Sequence, residues 1–378
     1  MYQQKKYSSH YALAMDMRIA QILPELNEGG VERGVVETNR EFTLLGNDSH
    51  VISAGGRLVE QLVHGGGDHH ELDVCSKNIL TAPLRSSRLS KLMDLVNPDI
   101  IHARSRVPAW LAHFANKKRK RPFVTTVHGL NSVNRYSKIM TSGDRVICVS
   151  EVVRDYIIKN YNTDPNNIRV IQRGVDMNQF TRTVDTASVS QLRDKFNLHG
   201  KLVISSVGRI TWLKDYETFI KSMAKLCQHT PEAVGLIVGG YRKDKSDYFK
   251  SLQQLVADYK LEGRIIFTGS QEDIASIYNL SDIVVNASLK MGNMGRTVVE
   301  ALAVGIPVIA TTFEGLRNLV EDDKNGYVIN NKDVDGLADA LIRTLQASFT
   351  AEVIRATVPE EYTLDHMVKN ILGVYQEL

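Results

Sequence analysis

The stretch that decides the fold is SLKMGNMGRTVVEALAVGIP, residues 288–307. It follows an apolar run at 282–286 that is typical of a buried strand, and its glycine-rich turn leads into a helix predicted to begin near Arg296. A strand, glycines and a helix N-terminus can form an anion site, because unpaired N–H groups and the positive end of the helix dipole face the turn. Such turns also serve packing alone, and on these residues both interpretations stay open.

Glu300 lies about one turn into the predicted helix. From there a carboxylate can accept two hydrogen bonds from a ribose diol, as acidic residues do in dinucleotide sites. Glycines in the preceding turn leave the backbone open to a phosphate. The candidate donor-binding residues of this segment are Gly292, Asn293, Met294, Gly295, Arg296, Thr297 and Glu300.

The segment resembles the donor-binding signature of the retaining glycosyltransferases of family 4, which commonly reads E-x-F-G-x-x-x-x-E-A. Gly295, Glu300 and Ala301 match it, whereas Gly292 stands in place of the first glutamate and Met294 in place of the phenylalanine. In the family that glutamate contacts the donor sugar, so its replacement by Gly292 affects the expectations for sugar recognition and for activity. The resemblance implies an α/β chain of the GT-B fold, with two doubly wound Rossmann-like domains facing a central cleft.

The composition is that of a globular protein with room for two domains: 378 residues, 43% apolar and 24% charged. A net charge of +3 is too small to indicate nucleic acid as a partner. Cys75, Cys148 and Cys227 are too widely spaced for a disulfide framework or a metal cluster. With no long apolar segment and no signal-peptide pattern, we expect a cytoplasmic protein.

Short apolar runs alternate with helical patterns along the chain, which predicts parallel sheets covered on both faces. We expect a first Rossmann-like domain at 17–176 and a second at 177–362, joined through a polar stretch at 177–200. The resemblance makes the first the acceptor-binding domain and the second the nucleotide-sugar-binding domain. In the family, the last helix, here 363–378, crosses back onto the first domain.

Two cations follow the first predicted strand of the second domain. Arg209 and Lys214, in VGRITWLKDYE, can stabilise a diphosphate whose charge grows as a glycosidic bond breaks. The segment closely resembles the family motif G-R-x-x-x-x-K, whose arginine and lysine hold the diphosphate. The alternative is a pair of ordinary loop cations. With two cations and a helix dipole to neutralise the phosphates, we expect neither a metal nor another cofactor.

Two features of the first domain are further candidates. Gly29 and Gly30, in NEGGVERG, form a turn before the first helix and resemble the family's first glycine loop; the pattern does not fit G-x-G-x-x-G, so no NAD site is expected. His128 follows the strand PFVTTV and resembles the T-x-H-G histidine near the reacting sugar. A purely structural turn and a structural histidine are the alternatives.

The first domain contains further histidines and basic residues that could bind a ligand. His64, His69 and His70 lie in an expected glycine-rich loop without zinc-site spacing, and we predict no metal there. The run Lys117-Lys118-Arg119-Lys120-Arg121 suggests a surface for anionic lipid, although most such runs are solvated faces. Further positive charge on this domain comes from Arg104, Arg106, Arg135 and Lys138.

These observations and the family resemblance favour a glycosyltransferase that moves a sugar from a nucleotide-diphosphate sugar to a hydroxyl of a glycan or glycolipid. The resemblance implies that the reaction retains the configuration at the anomeric carbon. Lipopolysaccharide core or another cell-surface glycan is the expected product. The alternative is a catalytically degenerate GT-B protein that binds nucleotide or glycan as an assembly partner. A sugar epimerase ranks last, because no pair of carboxylates is poised for acid–base work.

Overall fold

A computed structural model describes residues 16–27, 29–183, 186–241, 246–289, 295–312 and 319–378. The chain divides into two compact units. The first contains the described residues up to Gly174 together with Thr363–Leu378, and the second is Val175–Tyr362. None of the helices in the described ranges is both long and apolar enough to cross a bilayer.

The first unit is built on a seven-stranded sheet of order β3-β2-β1-β4-β5-β6-β7, and every neighbouring pair is parallel. The helices connect successive strands and cover the sheet, as parallel pairing requires. Its strands are β1 (Arg18–Ile22), β2 (Asp48–Ser53), β3 (Asp68–Glu71), β4 (Ile100–Ala103), β5 (Phe123–Val127), β6 (Arg145–Cys148) and β7 (Ile168–Val170). Its helices are α1 (Gly30–Leu44), α2 (Val59–His64), α3 (Ala82–Val96), α4 (Arg106–Asn116) and α5 (Glu151–Tyr161), with short 3₁₀ turns at Ser137–Thr141 and Pro165–Asn167.

Strand β3 was not predicted. From the sequence, His69 and His70 are expected in a glycine-rich loop, but they lie in this edge strand. In the register of β2 and β3, His50 pairs with Asp68. Its sequence, DHHE, contains no apolar residue and therefore gives no strand pattern. Charged residues are common on edge strands, because they discourage pairing with other chains.

The second unit contains a six-stranded parallel sheet of order β10-β9-β8-β11-β12-β13. The inner strands of this sheet are largely buried on both faces, as in β9, where all six residues are buried, whereas the edge strand β10 has one buried residue. The strands are β8 (Leu202–Val207), β9 (Ala233–Val238), β10 (Ile265–Gly269), β11 (Ile283–Asn286), β12 (Val308–Thr311) and β13 (Gly326–Ile329). The helices are α6 (Ala187–Lys195), α7 (Tyr216–His229), α8 (Ser246–Asp258), α9 (Ile274–Leu280), α10 (Arg296–Val304), α11 (Val334–Gln346) and α12 (Ala351–Ala356), with 3₁₀ turns at Trp212–Lys214 and Glu360–Tyr362.

The last helix, α13 (Leu364–Gln376), belongs to the first unit. Its apolar face joins the core that contains Phe42 of α1, and the rings of Phe42 and Tyr375 are 5.9 Å apart. The Tyr375 hydroxyl also lies 2.6 Å from Nδ1 of His102, which is fully buried in β4. This helix therefore completes the core of the first unit from the far end of the chain.

Each sheet has a point where the strand order reverses. In the first unit it falls between β1 and β4, and in the second between β8 and β11. The loops that leave such neighbouring strands run in opposite directions and open a crevice at the carboxyl ends of the strands, which is where ligands bind in sheets of this kind. Both groups of candidate residues follow strands at or near these two points.

Candidate functional site

A buried tyrosine, Tyr216, forms a hydrogen bond to the loop that follows β8. The Tyr216 hydroxyl donates a hydrogen bond of 2.6 Å to the Gly208 carbonyl, and a Cβ on Gly239 would lie 2.1 Å from the same oxygen. Gly208 in turn leaves room for the side chain of Lys214, because a Cβ there would lie 2.7 Å from Lys214 Cε. The two glycines and the tyrosine thus fix the path of the segment that carries Arg209 and Lys214.

Lys214 is half-buried and Arg209 is exposed. Burial lowers the pKa of Lys214 to about 8; repulsion from Arg209 adds to this shift, and Glu300 partly opposes it. Neither cation forms an ion pair or a side-chain hydrogen bond with another residue in the described part of the chain. Two neighbouring cations that form no ion pair with the described residues create a site that favours an anion.

The loop after β11 is tied to this segment, since the Leu289 N–H donates to the Leu213 carbonyl at 2.8 Å. The strand end is also fixed to α10, because Asn286 Nδ2 donates to Thr297 Oγ1 at 3.0 Å. Gly295 caps α10 with a φ of 27°, a conformation that suits glycine. The other predicted residues of this turn, Gly292, Asn293 and Met294, lie outside the described residues.

Glu300 is 5% exposed and has a partner on each carboxylate oxygen. The Tyr278 hydroxyl donates to Oε2 at 2.9 Å, and Arg296 Nε donates to Oε1 at 2.7 Å. A carboxylate oxygen has a second acceptor position, so both oxygens can still accept a bond from a ligand hydroxyl. Tyr278 was not predicted as part of the site, because nothing in the local sequence pattern of α9 connects it to Glu300.

In the first unit, Gly30 has a structural use that the sequence did not reveal. Arg173, which is 7% exposed, donates to the Gly30 carbonyl through Nη2, and a Cβ on Gly30 would lie 2.8 Å from Arg173 Nη1. Gly29 precedes α1 as its N-cap, with a φ of 153°. The glycine turn thus lets a buried guanidinium reach the N-terminus of α1.

His128 follows β5, and both of its ring nitrogens are buried without a hydrogen-bond partner among the described residues. Burial lowers the pKa of His128 well below its ordinary value, and the charges of Arg173 and Arg104 lower it further. The imidazole is therefore neutral at neutral pH, with one donor and one acceptor unused.

Arg104 directly follows β4, and its backbone N–H donates to Ile22 at the end of β1. Its side chain is 7% exposed and donates twice to Gln21 Oε1, from Nη2 at 2.5 Å and from Nε at 3.2 Å. No carboxylate pairs with it in the described ranges, and Gln21 Nε2 is buried without a partner. From the sequence, Arg104 was predicted only to add positive charge to this domain. Its position directly after a predicted strand was the signal that could have marked it as a binding residue.

The histidine-rich segment forms a separate group at the β2–β3 edge. His50 Nδ1 lies 3.1 Å from His70 Nε2, and His69 Nε2 lies 2.8 Å from Ser53 Oγ, whereas His64 ends α2. Ligand atoms of Asp48, His50 and Asp68 all lie within 4.8 Å of one another, so these three side chains could reach a common cation.

The basic run after α4 divides into two kinds of residue. Arg119 pairs with Asp94, and Arg121 donates to Asn97 Oδ1 at 2.7 Å, so both arginines hold the run against neighbouring elements. The three lysines, Lys117, Lys118 and Lys120, are exposed. Only the lysines present their charge to solvent.

Comparison with known proteins identifies the chain. Residues 28–179 match the family model described as Glycosyltransferase Family 4, and residues 189–358 match the model described as Glycosyl transferases group 1. The chain is a GT-B glycosyltransferase of family 4. The two models span every strand of both parallel sheets except β1, which precedes the first match, and include both groups of residues that the sequence predicts for the site.

Similar proteins support this assignment over nearly the whole chain. A glycosyltransferase from Rickettsia africae ESF-5 has 28% sequence identity with a TM-score of 0.84, over 95% of this chain and 97% of that one. Anabaena HepE, solved with UDP and glucose, shares the fold at 20% identity and a TM-score of 0.83, over 96% and 100%. An Escherichia coli UDP-Gal:alpha-D-GlcNAc-diphosphoundecaprenol alpha-1,3-galactosyltransferase is 27% identical over 85% of this chain and 86% of its own.

Proposed function

We propose that this glycosyltransferase moves a sugar from a nucleoside diphosphate sugar to a hydroxyl of a glycan or glycolipid, with retention at the anomeric carbon. The observation that carries the proposal is the cation pair of the second unit. Arg209 and the half-buried Lys214 form no ion pair among the described residues and follow a strand at the point where the sheet order reverses. A leaving diphosphate supplies the missing negative charge.

In this proposal the two cations act most strongly as the glycosidic bond breaks. The leaving diphosphate gains negative charge at that moment, and a cation already desolvated in the protein needs little reorganisation to stabilise it. The pKa of Lys214 is lowered because burial and the charge of Arg209 make its protonated form unfavourable when no ligand is bound. Binding of the diphosphate relieves that cost, so the lysine favours the charged ligand over a neutral one.

The helix α10 would receive the rest of the donor. Its first N–H groups have no partners within the helix and can bind a phosphate beside Gly295, Arg296 and Thr297. Glu300 would accept hydrogen bonds from the ribose hydroxyls with the oxygen positions that Tyr278 and Arg296 leave open. Gly292, Asn293 and Met294 are proposed to line the sugar-binding part of the same turn, in keeping with their places in the family motif.

The first unit has groups of its own that suit a sugar substrate. The neutral imidazole of His128 has an unused donor and an unused acceptor, which suit a sugar hydroxyl. Gly29 and Gly30 would allow close approach of substrate to the N-terminus of α1. No metal or other cofactor is part of the proposal, because Arg209, Lys214 and the helix dipole can neutralise the diphosphate.

We propose a membrane-bound acceptor as well. The Escherichia coli relative is named for a diphosphoundecaprenol acceptor, and the first unit exposes Ile79 (84% exposed) and Leu80 (90% exposed). Near α4, Phe114 is 54% exposed and precedes the exposed lysines. An exposed apolar side chain beside cations, as Phe114 is, fits an anionic lipid surface at the cytoplasmic face of the membrane, as in lipopolysaccharide core or other cell-surface glycan synthesis.

Vesicle sedimentation tests the membrane contact. Each lysine contributes about 1 kcal/mol at an anionic surface, so replacing both Lys117 and Lys118 with glutamine should weaken binding to phosphatidylglycerol vesicles by roughly thirtyfold. Lys201→Gln, which removes an exposed lysine of the second unit, is the control. Equal binding to phosphatidylglycerol and to neutral phosphatidylcholine vesicles would contradict this part of the proposal.

The main experiment titrates the protein calorimetrically with UDP, GDP and ADP in the absence of metal, and then measures transfer from sugar donors of the base that binds. We expect one nucleotide to bind, and NMR of the product to show the donor's anomeric configuration. Binding without any transfer would favour the assembly-partner alternative, and an inverted product would refute retention. If no nucleotide binds, the donor site itself is wrong.

A further inference from the structure

The crevice of the first unit contains an unusual concentration of polar groups that the protein does not satisfy. Gln21 Nε2 and both ring nitrogens of His128 are buried without partners in the described part of the chain. A buried polar atom left unpaired costs about 1–3 kcal/mol, so native proteins rarely retain several of them close together without a ligand. Gln21 lies near the carboxyl end of β1, and His128 directly follows β5 of the same sheet.

Two buried arginines, Arg104 and Arg173, bring positive charge to this crevice. Arg104 is 7% exposed, and its side-chain partner is the neutral amide of Gln21. Arg173, equally buried, reaches the N-terminus of α1 through Gly30. His128 follows β5, which pairs with the strand that precedes Arg104, and the charges of Arg173 and Arg104 both lower the pKa of His128. A buried arginine usually pairs with a carboxylate, and none is bonded to Arg104 among the described residues.

The position is the one where a ligand is expected. Gln21 lies in β1 and Arg104 directly after β4, the two strands between which the sheet order reverses. Crevices at such reversal points bind ligands in open parallel sheets. The planar guanidinium of arginine forms two parallel hydrogen bonds to a phosphate or a carboxylate, which a neutral hydroxyl cannot accept.

We infer that this crevice binds an oxyanion, a phosphate or carboxylate group carried by the sugar acceptor, with Arg104 as the residue that selects it. The inference rests on the proposed function, since it assigns the charge to the acceptor and leaves the donor diphosphate to the cation pair of the second unit. An acceptor without this group leaves Arg104 buried opposite a neutral partner and loses affinity.

Calorimetric titrations of the full chain test this inference. The probes are inorganic phosphate, glucose 1-phosphate, glucuronate and glucose. Phosphate can also enter the cation pair of the second unit, so the titrations use wild type saturated with the nucleotide that binds it and, separately, Lys214→Met without nucleotide. Lys214→Met should weaken nucleotide binding and leave oxyanion binding intact. Arg104→Gln should weaken oxyanion binding and leave nucleotide binding intact.

Arg104→Gln should weaken oxyanion binding at least tenfold, which corresponds to about 1.4 kcal/mol. Arg88→Gln, which removes an exposed arginine of α3, should change it less than twofold. Arg104→Lys keeps the charge but loses the guanidinium fork and should fall between them, which gives a second reading if the glutamine variant folds poorly. The ring-nitrogen NMR signals of His128 should shift on oxyanion binding in wild type.

Preferential binding of glucose 1-phosphate indicates a sugar phosphate, and preferential binding of glucuronate indicates a carboxylate; both support the inference. Glucose binding as tightly as its phosphate, no saturable oxyanion binding in wild type, or wild-type affinity in Arg104→Gln would each overturn it. Failure of the proposed function has a different signature: no nucleotide binds, while the oxyanion titration of Lys214→Met is unaffected.

Discussion

Replacing Lys214 with methionine should separate stability from ligand binding. Methionine has a similar length and no charge, so it removes the cation without leaving a large cavity. In the folded protein the pKa of Lys214 is about 8 rather than 10.5, because of burial and the charge of Arg209. That difference corresponds to about 3 kcal/mol by which the charged lysine destabilises the fold near neutral pH.

The sign of the pH dependence follows from the direction of this shift. Below pH 8 the lysine is protonated in both folded and unfolded chains, and the full cost is present. Between about 8 and 10.5 the folded chain releases its proton first, so the unfolded chain binds more protons and stability rises with pH. Lys214→Met should therefore raise the free energy of unfolding at pH 7 by up to about 3 kcal/mol, and the gain should shrink as pH approaches 10.

The same substitution should weaken nucleotide binding. Loss of a hydrogen bond from a charged donor costs about 1.5–3 kcal/mol, which corresponds to a Kd raised roughly 10- to 150-fold. Urea unfolding from pH 6 to 10 measures stability, and calorimetry with the cognate nucleotide measures binding. Lys225→Met, which removes an exposed lysine of α7, is the control for loss of one charge. A variant that is less stable than wild type at pH 7, or that binds nucleotide unchanged, would refute the reasoning.

Three other outcomes follow from the second unit. Glu300→Gln should lower the free energy of unfolding by about 3 kcal/mol in urea titrations, because it breaks a buried ion pair with Arg296, and wild-type stability would contradict this. Gly239→Ala should weaken nucleotide binding, since its Cβ would meet the Gly208 carbonyl; Gly263→Ala, where only backbone strain changes, should cost about 1 kcal/mol and leave affinity intact in the same titrations. EDTA should leave transfer rates unchanged within twofold, and a rate that recovers only with added divalent cation would show that the cation pair is insufficient.

Much of the fold could be predicted from local pattern. Buried parallel strands are continuous apolar runs, and each of the predicted runs, such as the one that became β11, forms a strand of a parallel sheet. The glycines before α10 marked the turn, and the helix begins at Arg296 as expected. Strand β3 could not be predicted this way, because an edge strand with no buried face carries no hydrophobic pattern.

The candidate sites were only partly visible in the sequence. Arg209, Lys214 and Glu300 were found because strand ends and glycine turns mark the edge where ligands bind, and their roles stay proposals. Arg104 was seen only as surface charge, since a linear pattern does not show whether a cation is buried or what faces it. Its distance from Gln21 depends on the pairing of β1 with β4, in which Gln21 pairs with His102, a residue 81 positions further along the chain.

The sequence by itself therefore determined the alternation of strands and helices, the two glycine turns and the membership of a glycosyltransferase family, because these depend on residues close together in the chain. Tertiary structure decided which side chains meet. The hydrogen bond from Tyr278 to Glu300, the approach of Gly239 to the Lys214 loop and the contact of Arg104 with Gln21 all arise where elements separated in sequence become neighbours. Burial at those points sets the pKa values and the unused hydrogen bonds on which the proposed function rests.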